Sequence, residues 1–353
     1  MVPGKRCRAG RRSAPCPRAD PATRRSASMS QTECCGTKPG VQSCRWGSRG
    51  GVPIRCHRGE RRMRILVNGV RLFVDVANFG LVPGPHGLHE KPTLLMLHGG
   101  PGFDHVALKE AFAGLGDVAQ VVFYDHRGNG RSEGDDPATW TLAQWADDVK
   151  GLCDALGIVR PIVCGLSFGG FVAQAYATRY PDHPGKLILL STAARVDFPT
   201  IFAAFARVGG PEVEAVAESY WMNPTAEGRA LYYQHCVPFY RHRRNRPPAD
   251  FSRVIRRTEV ALHFNGPRNE HGRFDFRADL GRLRCPVLLM AGEHDPIAPM
   301  PLAEATAAAI PAHLLRFERL SGCGHDIHGD DPERVFGAMR AFITGPDASS
   351  VAE

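Results

Sequence analysis

Ten residues near the middle of the chain, Pro161-Ile162-Val163-Cys164-Gly165-Leu166-Ser167-Phe168-Gly169-Gly170, restrict the fold more than any other stretch. The apolar run Ile162-Val163-Cys164 reads as a buried strand, and Phe171 to Ala177 continues as a helix. Between them lies Gly-x-Ser-x-Gly in the strand–turn–helix context that a nucleophile elbow requires. A serine at the tip of so tight a turn sits in strained backbone, tolerable where its neighbours lack bulk, and Gly165, Gly169 and Gly170 meet that need. The turn lifts the hydroxyl above the sheet and places the Phe168 N–H at a helix start, where partial positive charge favours an oxyanion. The same pattern recurs at Gly130-Arg131-Ser132-Glu133-Gly134. There, polar loop residues precede it and Asp135-Asp136-Pro137 follow, so no strand feeds Ser132 and no helix leaves it directly. Ser167 is the candidate nucleophile.

The flanking text supplies the sheet this elbow needs. Ile65 to Val67, Asn68-Gly69 and Val70 to Val76 predict a hairpin with a type I′ turn. A polar loop with Pro83, Gly84 and Pro85 is expected next. Thr93 to Leu97 reads as a buried strand ending at His98-Gly99-Gly100-Pro101-Gly102, and Val121 to Tyr124 as another, closed by Asp125 to Ser132. Thr141 with Gln144 predicts a capping box opening an amphipathic helix that Gly157 stops. Leu187 to Leu190, Val287 to Met290 and Leu314 to Leu320 add three more strands. Near-continuous apolar strands alternating with helices mean an α/β fold with a mostly parallel, doubly covered sheet. The rhythm breaks between about 195 and 280, where Ile201 to Val208, Val213 to Trp221 and Phe251 to Phe264 read as helices without intervening strands. The organisation expected is a core over 63–194 and 281–353 with a helical cap over 195–280. The cap aromatics are expected mainly to pack cap against core, with some lining a pocket; Arg241 to Arg246 reads as a solvated face.

Charge matters here only through its distribution. Residues 1–62 carry 15 of the 44 Lys/Arg and 3 of the 36 Asp/Glu, a net of +12, which leaves −4 for residues 63–353. The basic balance belongs to the leader, so it gives no ground for nucleic-acid binding by the body. The leader is rich in Arg, Ser, Gly and Pro without apolar periodicity and is expected to be disordered, with Met63 as the true start. It lacks the apolar core of a secretory signal. The eleven cysteines show no paired spacing typical of zinc, which suits free thiols in a reducing cytoplasm. No run approaches the roughly 18 apolar residues of a membrane span. The partners expected are a small molecule or short peptide, with no nucleic acid and no membrane; oligomeric state is not legible.

A serine hydroxyl needs a base, and the base needs a carboxylate to hold its tautomer. In this architecture the order is Ser, acid, His, each on a loop after a strand. Asp295, after Val287 to Met290, and His325, after Leu314 to Leu320, satisfy both conditions. Glu293, His294, Asp326 and His328 are the rivals; Asp295 precedes the turn residue Pro296, and Gly322 and Gly324 free the loop before His325. No third ligand accompanies His325 and His328, so no metal is expected. The glycine-rich turn after Leu97 can offer backbone donors, and Gly100 with Phe168 is the expected oxyanion hole, worth about 3–4 kcal/mol per donor in comparable hydrolases. His98 is read as fixing that loop, and Arg127 as bracing the loops beneath the site.

From about residue 64 to 344 the chain resembles the α/β-hydrolase superfamily. His98-Gly99-Gly100-Pro101-Gly102 with Asp125-His126-Arg127-Gly128-Asn129-Gly130-Arg131-Ser132 is similar to the proline iminopeptidase (prolyl aminopeptidase) branch. The resemblance implies the α/β-hydrolase fold and a cofactor-free Ser–His–Asp hydrolase that releases N-terminal residues from short peptides, with Ser167, Asp295 and His325 at the triad positions. It also implies cap carboxylates that hold the substrate's amino terminus; Glu259 is the nearest match, and Trp221 is a second substrate-binding candidate. That family has a different stretch where this chain has Glu259-Val260-Ala261-Leu262-His263-Phe264, and usually Trp where it has Phe168. Two other functions fit the residues: an esterase, lactonase or C–C bond hydrolase, or a ligand-binding protein of low turnover on the same fold.

Overall fold

The computed structural model describes residues 63–78, 80–84, 87–243 and 251–346. The leader 1–62 and the second half of the basic run, 244–246, lie outside the described residues. Where Asn68-Gly69 demands a tight reversal, strands β1 (Arg64–Val67) and β2 (Val70–Ala77) pair antiparallel with Val67 opposite Val70. Both turn residues have positive φ, 46° and 82°, as a type I′ turn requires. The segment expected as loop folds instead into a short second ribbon, β3 (Leu81–Gly84) with β4 (Gly87–Glu90). Its side chains are mostly exposed, so no apolar alternation marked it in the sequence.

The remaining elements alternate: β5 (Thr93–Leu97), α1 (Val106–Phe112), β6 (Gln120–Tyr124), α2 (Leu142–Leu156), β7 (Ile162–Leu166), α3 (Phe168–Arg179) and β8 (Lys186–Leu190). Five helices follow: α4 (Phe198–Gly209), α5 (Pro211–Met222), α6 (Ala226–His235), α7 (Thr258–Phe264) and α8 (Arg277–Leu280). Then come β9 (Val287–Gly292), α9 (Met300–Ala309), β10 (Leu315–Leu320), α10 (Ile327–Asp330) and α11 (Pro332–Thr344). Eight strands form one sheet in the order β1-β2-β6-β5-β7-β8-β9-β10. The pairs from β6 to β10 are parallel.

The uninterrupted apolar strands are buried on both faces. Leu95, Leu97, Val163 and Leu189 pack with α2 and α3 on one side, and Leu94, Met96, Cys164 and Leu190 pack with α1 and α11 on the other. The Thr141 side chain accepts from the Gln144 N–H, but Gln144 donates its amide to Asp148 rather than closing the box. The buried Arg127 also holds Asp148, at 2.7 Å through each of two nitrogens, which ties the loop after β6 to α2. Ser132 Oγ donates to the Asp125 carbonyl and accepts from the Phe73 N–H, a bracing role.

Helices α4 to α8 leave the sheet after β8 and return before β9. An isolated bridge between Arg195 and Asp275 ties the two ends of this excursion together. Ile201, Phe205, Ala217, Tyr220 and Tyr232 bury one another in a cluster of their own. The predicted helix from Phe251 begins only at Thr258. Two of the residues before it donate to the loop after β5 instead: the Arg257 N–H to the Gly102 carbonyl and the Ile255 N–H to Asp104. Groups engaged that way cannot close helical turns.

Candidate active site

Ser167 stands at φ +55° between β7 and α3. Its N–H donates to the Leu190 carbonyl, and its carbonyl accepts from the Thr192 hydroxyl at 2.9 Å and the Gly170 N–H at 2.8 Å. Three hydrogen bonds therefore hold a backbone conformation that a serine rarely adopts. The glycines permit it: a Cβ on Gly169 would lie 2.1 Å from the Leu97 carbonyl oxygen, and one on Gly165 2.3 Å from the Gly169 oxygen.

His325, on the loop after β10, places Nε2 3.0 Å from Ser167 Oγ. Its Nδ1 lies 2.8 Å from Asp295 Oδ2. Asp295 is fully buried, and its Oδ1 accepts from the Ile297 and Ala298 N–H groups at 2.7 and 2.9 Å. A carboxylate anchored on one oxygen presents the other to imidazole, so Nδ1 carries the proton and Nε2 is free to accept from the serine. Tyr240 buttresses the imidazole edge-on at 4.9 Å, and its carbonyl accepts from the Asp326 N–H. Three of the four rival groups are engaged elsewhere, and Glu293 is exposed. His294 stacks on His242 at 3.8 Å, His328 packs against Phe112, and Asp326 is paired with Arg241. Burial would raise the Asp326 carboxyl, but His328 and Arg241 hold it below its usual range.

The glycine-rich turn lies against the nucleophile, and Gly99 faces the Leu166 carbonyl and Ser167. His98 accepts the His126 N–H at Nε2 and therefore donates Nδ1–H to the Gly99 carbonyl at 2.7 Å. Burial lowers the His98 pKa, which keeps it neutral in this role. The Gly100–Pro101 peptide is cis, and the Gly102 N–H donates to Asn129. As the first residue of α3, Phe168 has an N–H without an intrahelical acceptor.

Two cavities meet at Ser167 and Gly100. The larger, about 760 Å³, is lined by Phe103, Tyr233, Tyr240, Phe251 and His325 among others. The smaller, about 30 Å³, is lined by Phe171, Ser191, Ile201, Trp221, Phe264 and His271 among others. Trp221 therefore reaches the site. Glu259 does not line either cavity. Val260, Ala261 and Phe264 form the buried face of α7, which turns Glu259 outward to a half-exposed position 3.7 Å from Arg257. Among the described residues the carboxylates that line the large cavity are all paired: Asp104 with Arg131, Glu110 with Arg253, Asp326 with Arg241. Ser191 and His271 were not singled out in the sequence. Ser191 directly follows β8, at the carboxyl edge where open α/β sheets bind ligands, and that position was the available signal. His271 lies in a stretch without periodicity and carried none.

A sequence profile of the alpha/beta hydrolase fold family matches residues 92–332. RutD of Caulobacter sp. strain K31, provisionally named a carbamate hydrolase, is 28% identical over 71% of this chain and 96% of its own length. PfmaB of Pestalotiopsis fici, named a proline iminopeptidase, is 27% identical over 77% of this chain and 98% of its own. The solved structure of a thermophilic esterase from Thermogutta terrifontis superposes with a TM-score of 0.59 at 29% identity, covering 80% of this chain and 98% of the esterase.

Proposed function

Because the chain belongs to the alpha/beta hydrolase fold family, we propose that this hydrolase works through a serine acyl-enzyme and cleaves a small carboxylic ester or an amide without a charged amino terminus. The observation that carries the chemistry is the relay Asp295–His325–Ser167, at 2.8 and 3.0 Å. His325 Nε2 takes the hydroxyl proton as Ser167 Oγ bonds to the substrate carbonyl carbon. The oxyanion is stabilised by the Phe168 and Gly100 N–H groups. The bond to the leaving group then breaks, and the proton passes from His325 to the departing oxygen or nitrogen. Water activated by the same imidazole adds to the acyl-enzyme and releases the acid and free Ser167. No step calls for a cofactor.

The ester reading is favoured over the aminopeptidase reading by charge. An α-ammonium group in an apolar cavity needs an unpaired carboxylate, and among the described residues each cavity-lining carboxylate is neutralised by an arginine. The aminopeptidase reading keeps the support of the glycine-rich motif and of PfmaB. Five cysteines of the described chain are buried free thiols, which supports a cytoplasmic setting. Among the described residues no helix is long and apolar enough to cross a membrane.

A matched panel of short acyl esters, N-acylated amides and proline amides tests the reading. Esters should turn over faster than free-amine amides of the same leaving group. Preference for proline amides, abolished by N-acetylation, would replace it with the aminopeptidase. Failure of Ser167 to react with a fluorophosphonate would leave only the ligand-binding protein.

A further inference from the structure

The position of His325 sorts the two cavities by role. The leaving atom must receive its proton from His325 Nε2, and His325 lines only the large cavity. The leaving group therefore lies among Phe103, Tyr233, Tyr240 and Phe251, and the acyl substituent points into the small chamber. That chamber admits about two water-sized groups, since each needs roughly 10–15 Å³ of such space.

Three of the groups around it are polar and unspent: Ser191 Oγ, His271 Nδ1 and Trp221 Nε1. Among the described residues Ser191 Oγ and His271 Nδ1 have no hydrogen-bond partner, and the two residues are 0% and 5% exposed. Native proteins seldom leave such atoms unmet by protein, water or ligand. Ser191 also holds φ +47° at the end of β8, next to Ser167 at φ +55° at the end of β7. Strain retained at neighbouring strand ends is a mark of a functional edge. Burial among aromatic rings lowers the His271 pKa to about 3, so its imidazole is neutral and can either donate or accept. Among the described residues no carboxylate lines the chamber, and the charged group that does, Arg195, is paired with Asp197 at 2.9 Å.

We propose that Ser191 and His271 form an acyl-recognition subsite for a short, neutral acyl group carrying a hydrogen-bonding substituent about two heavy atoms beyond the carbonyl carbon, as a hydroxyacyl group does. The assignment rests on the acyl-enzyme reading and deepens it. A polar subsite discriminates against an apolar isostere because the isostere leaves Ser191 and His271 unpaired.

The experiment compares acetyl, propionyl, glycolyl and hexanoyl esters of one phenol, with each kcat/KM divided by the ester's hydroxide-catalysed rate constant. Glycolyl and propionyl have the same size and differ in the hydroxyl. The normalised glycolyl-to-propionyl ratio should be about 10 or more, and hexanoyl should fall at least about 10-fold below acetyl. Ser191→Ala and His271→Phe should each collapse the ratio toward 1, and His271→Gln, which keeps a donor and an acceptor, should restore part of it. Fluorophosphonate labelling of every variant reports an intact nucleophile. A labelled wild type with a ratio near 1, or with hexanoyl as fast as acetyl, overturns the subsite and leaves the hydrolase reading standing. An unlabelled wild type overturns both.

Discussion

Replacing Asp295 by Asn tests the relay with little change in shape. In the native site Oδ1 accepts two backbone N–H bonds, from Ile297 at 2.7 Å and Ala298 at 2.9 Å. The asparagine carbonyl must occupy that position, because an amide NH2 there would face two donors. The NH2 is thereby forced to the Oδ2 position, 2.8 Å from His325 Nδ1. A donor facing Nδ1 selects the imidazole tautomer protonated at Nε2, and that nitrogen can no longer accept the Ser167 proton from 3.0 Å. The same tautomer reversal in a serine protease costs about 10⁴ in kcat, and at about 1.36 kcal/mol per decade that is roughly 5.4 kcal/mol of barrier. Stability should change little, since Ile297 and Ala298 keep their acceptor. Steady-state kinetics on the best short-chain ester, beside a urea denaturation curve, measures both. A folded Asp295→Asn enzyme within 10-fold of wild-type kcat would refute the assignment of Asp295 as the tautomer-holding group.

Other consequences concern the frame around the site. Gly169→Ala drives a Cβ to 2.1 Å from the Leu97 carbonyl oxygen, so it should lose about 1–3 kcal/mol of stability and displace Ser167 from the glycine-rich turn. Wild-type melting and activity in that variant would count against the close packing of α3 on β5. Asp148→Ala strands the buried Arg127 guanidinium and should cost about 3–5 kcal/mol in urea denaturation; a loss below about 1 kcal/mol would mean that water reaches the arginine. Acid should destabilise the fold. The His271 pKa is lowered from 6.5 to about 3 by burial, so its contribution is present above pH 6.5 and is lost as pH falls from there toward 3. At pH 5.5 this one histidine accounts for about 1.4 kcal/mol, and His98, His126 and His328, also lowered by burial, act in the same direction. Equal urea midpoints at pH 8 and 5.5 would contradict the buried neutral imidazoles.

The parts of the site that the sequence exposes are those where chemistry and chain geometry coincide. Gly-x-Ser-x-Gly needs a strand before it and a helix after it, and both leave periodic marks, so Ser167 is identifiable before any coordinates. Asp295 and His325 follow from strand ends and order. The pocket is harder to read because its walls come from residues with no shared period: Phe103 from a loop, Tyr240 and His271 from separate single 3-10 turns. Glu259 shows the limit of matching by text. One position along a short helix decides whether a carboxylate faces a pocket or solvent, and only the packing of Val260, Ala261 and Phe264 fixes that choice. Phe251 to Arg257 carries helical apolar spacing, yet the Arg257 and Ile255 N–H groups serve Gly102 and Asp104. Tertiary hydrogen bonds override local preference there.

The most direct measurement is peptide mapping of the protein after complete inactivation by a fluorophosphonate. The account predicts one adduct per chain, on the peptide carrying Ser167, formed in step with the loss of ester hydrolysis and absent in Ser167→Ala. Hydrolysis that survives full modification of Ser167, or an inactivating adduct on Ser132 or Ser191 instead, would contradict it.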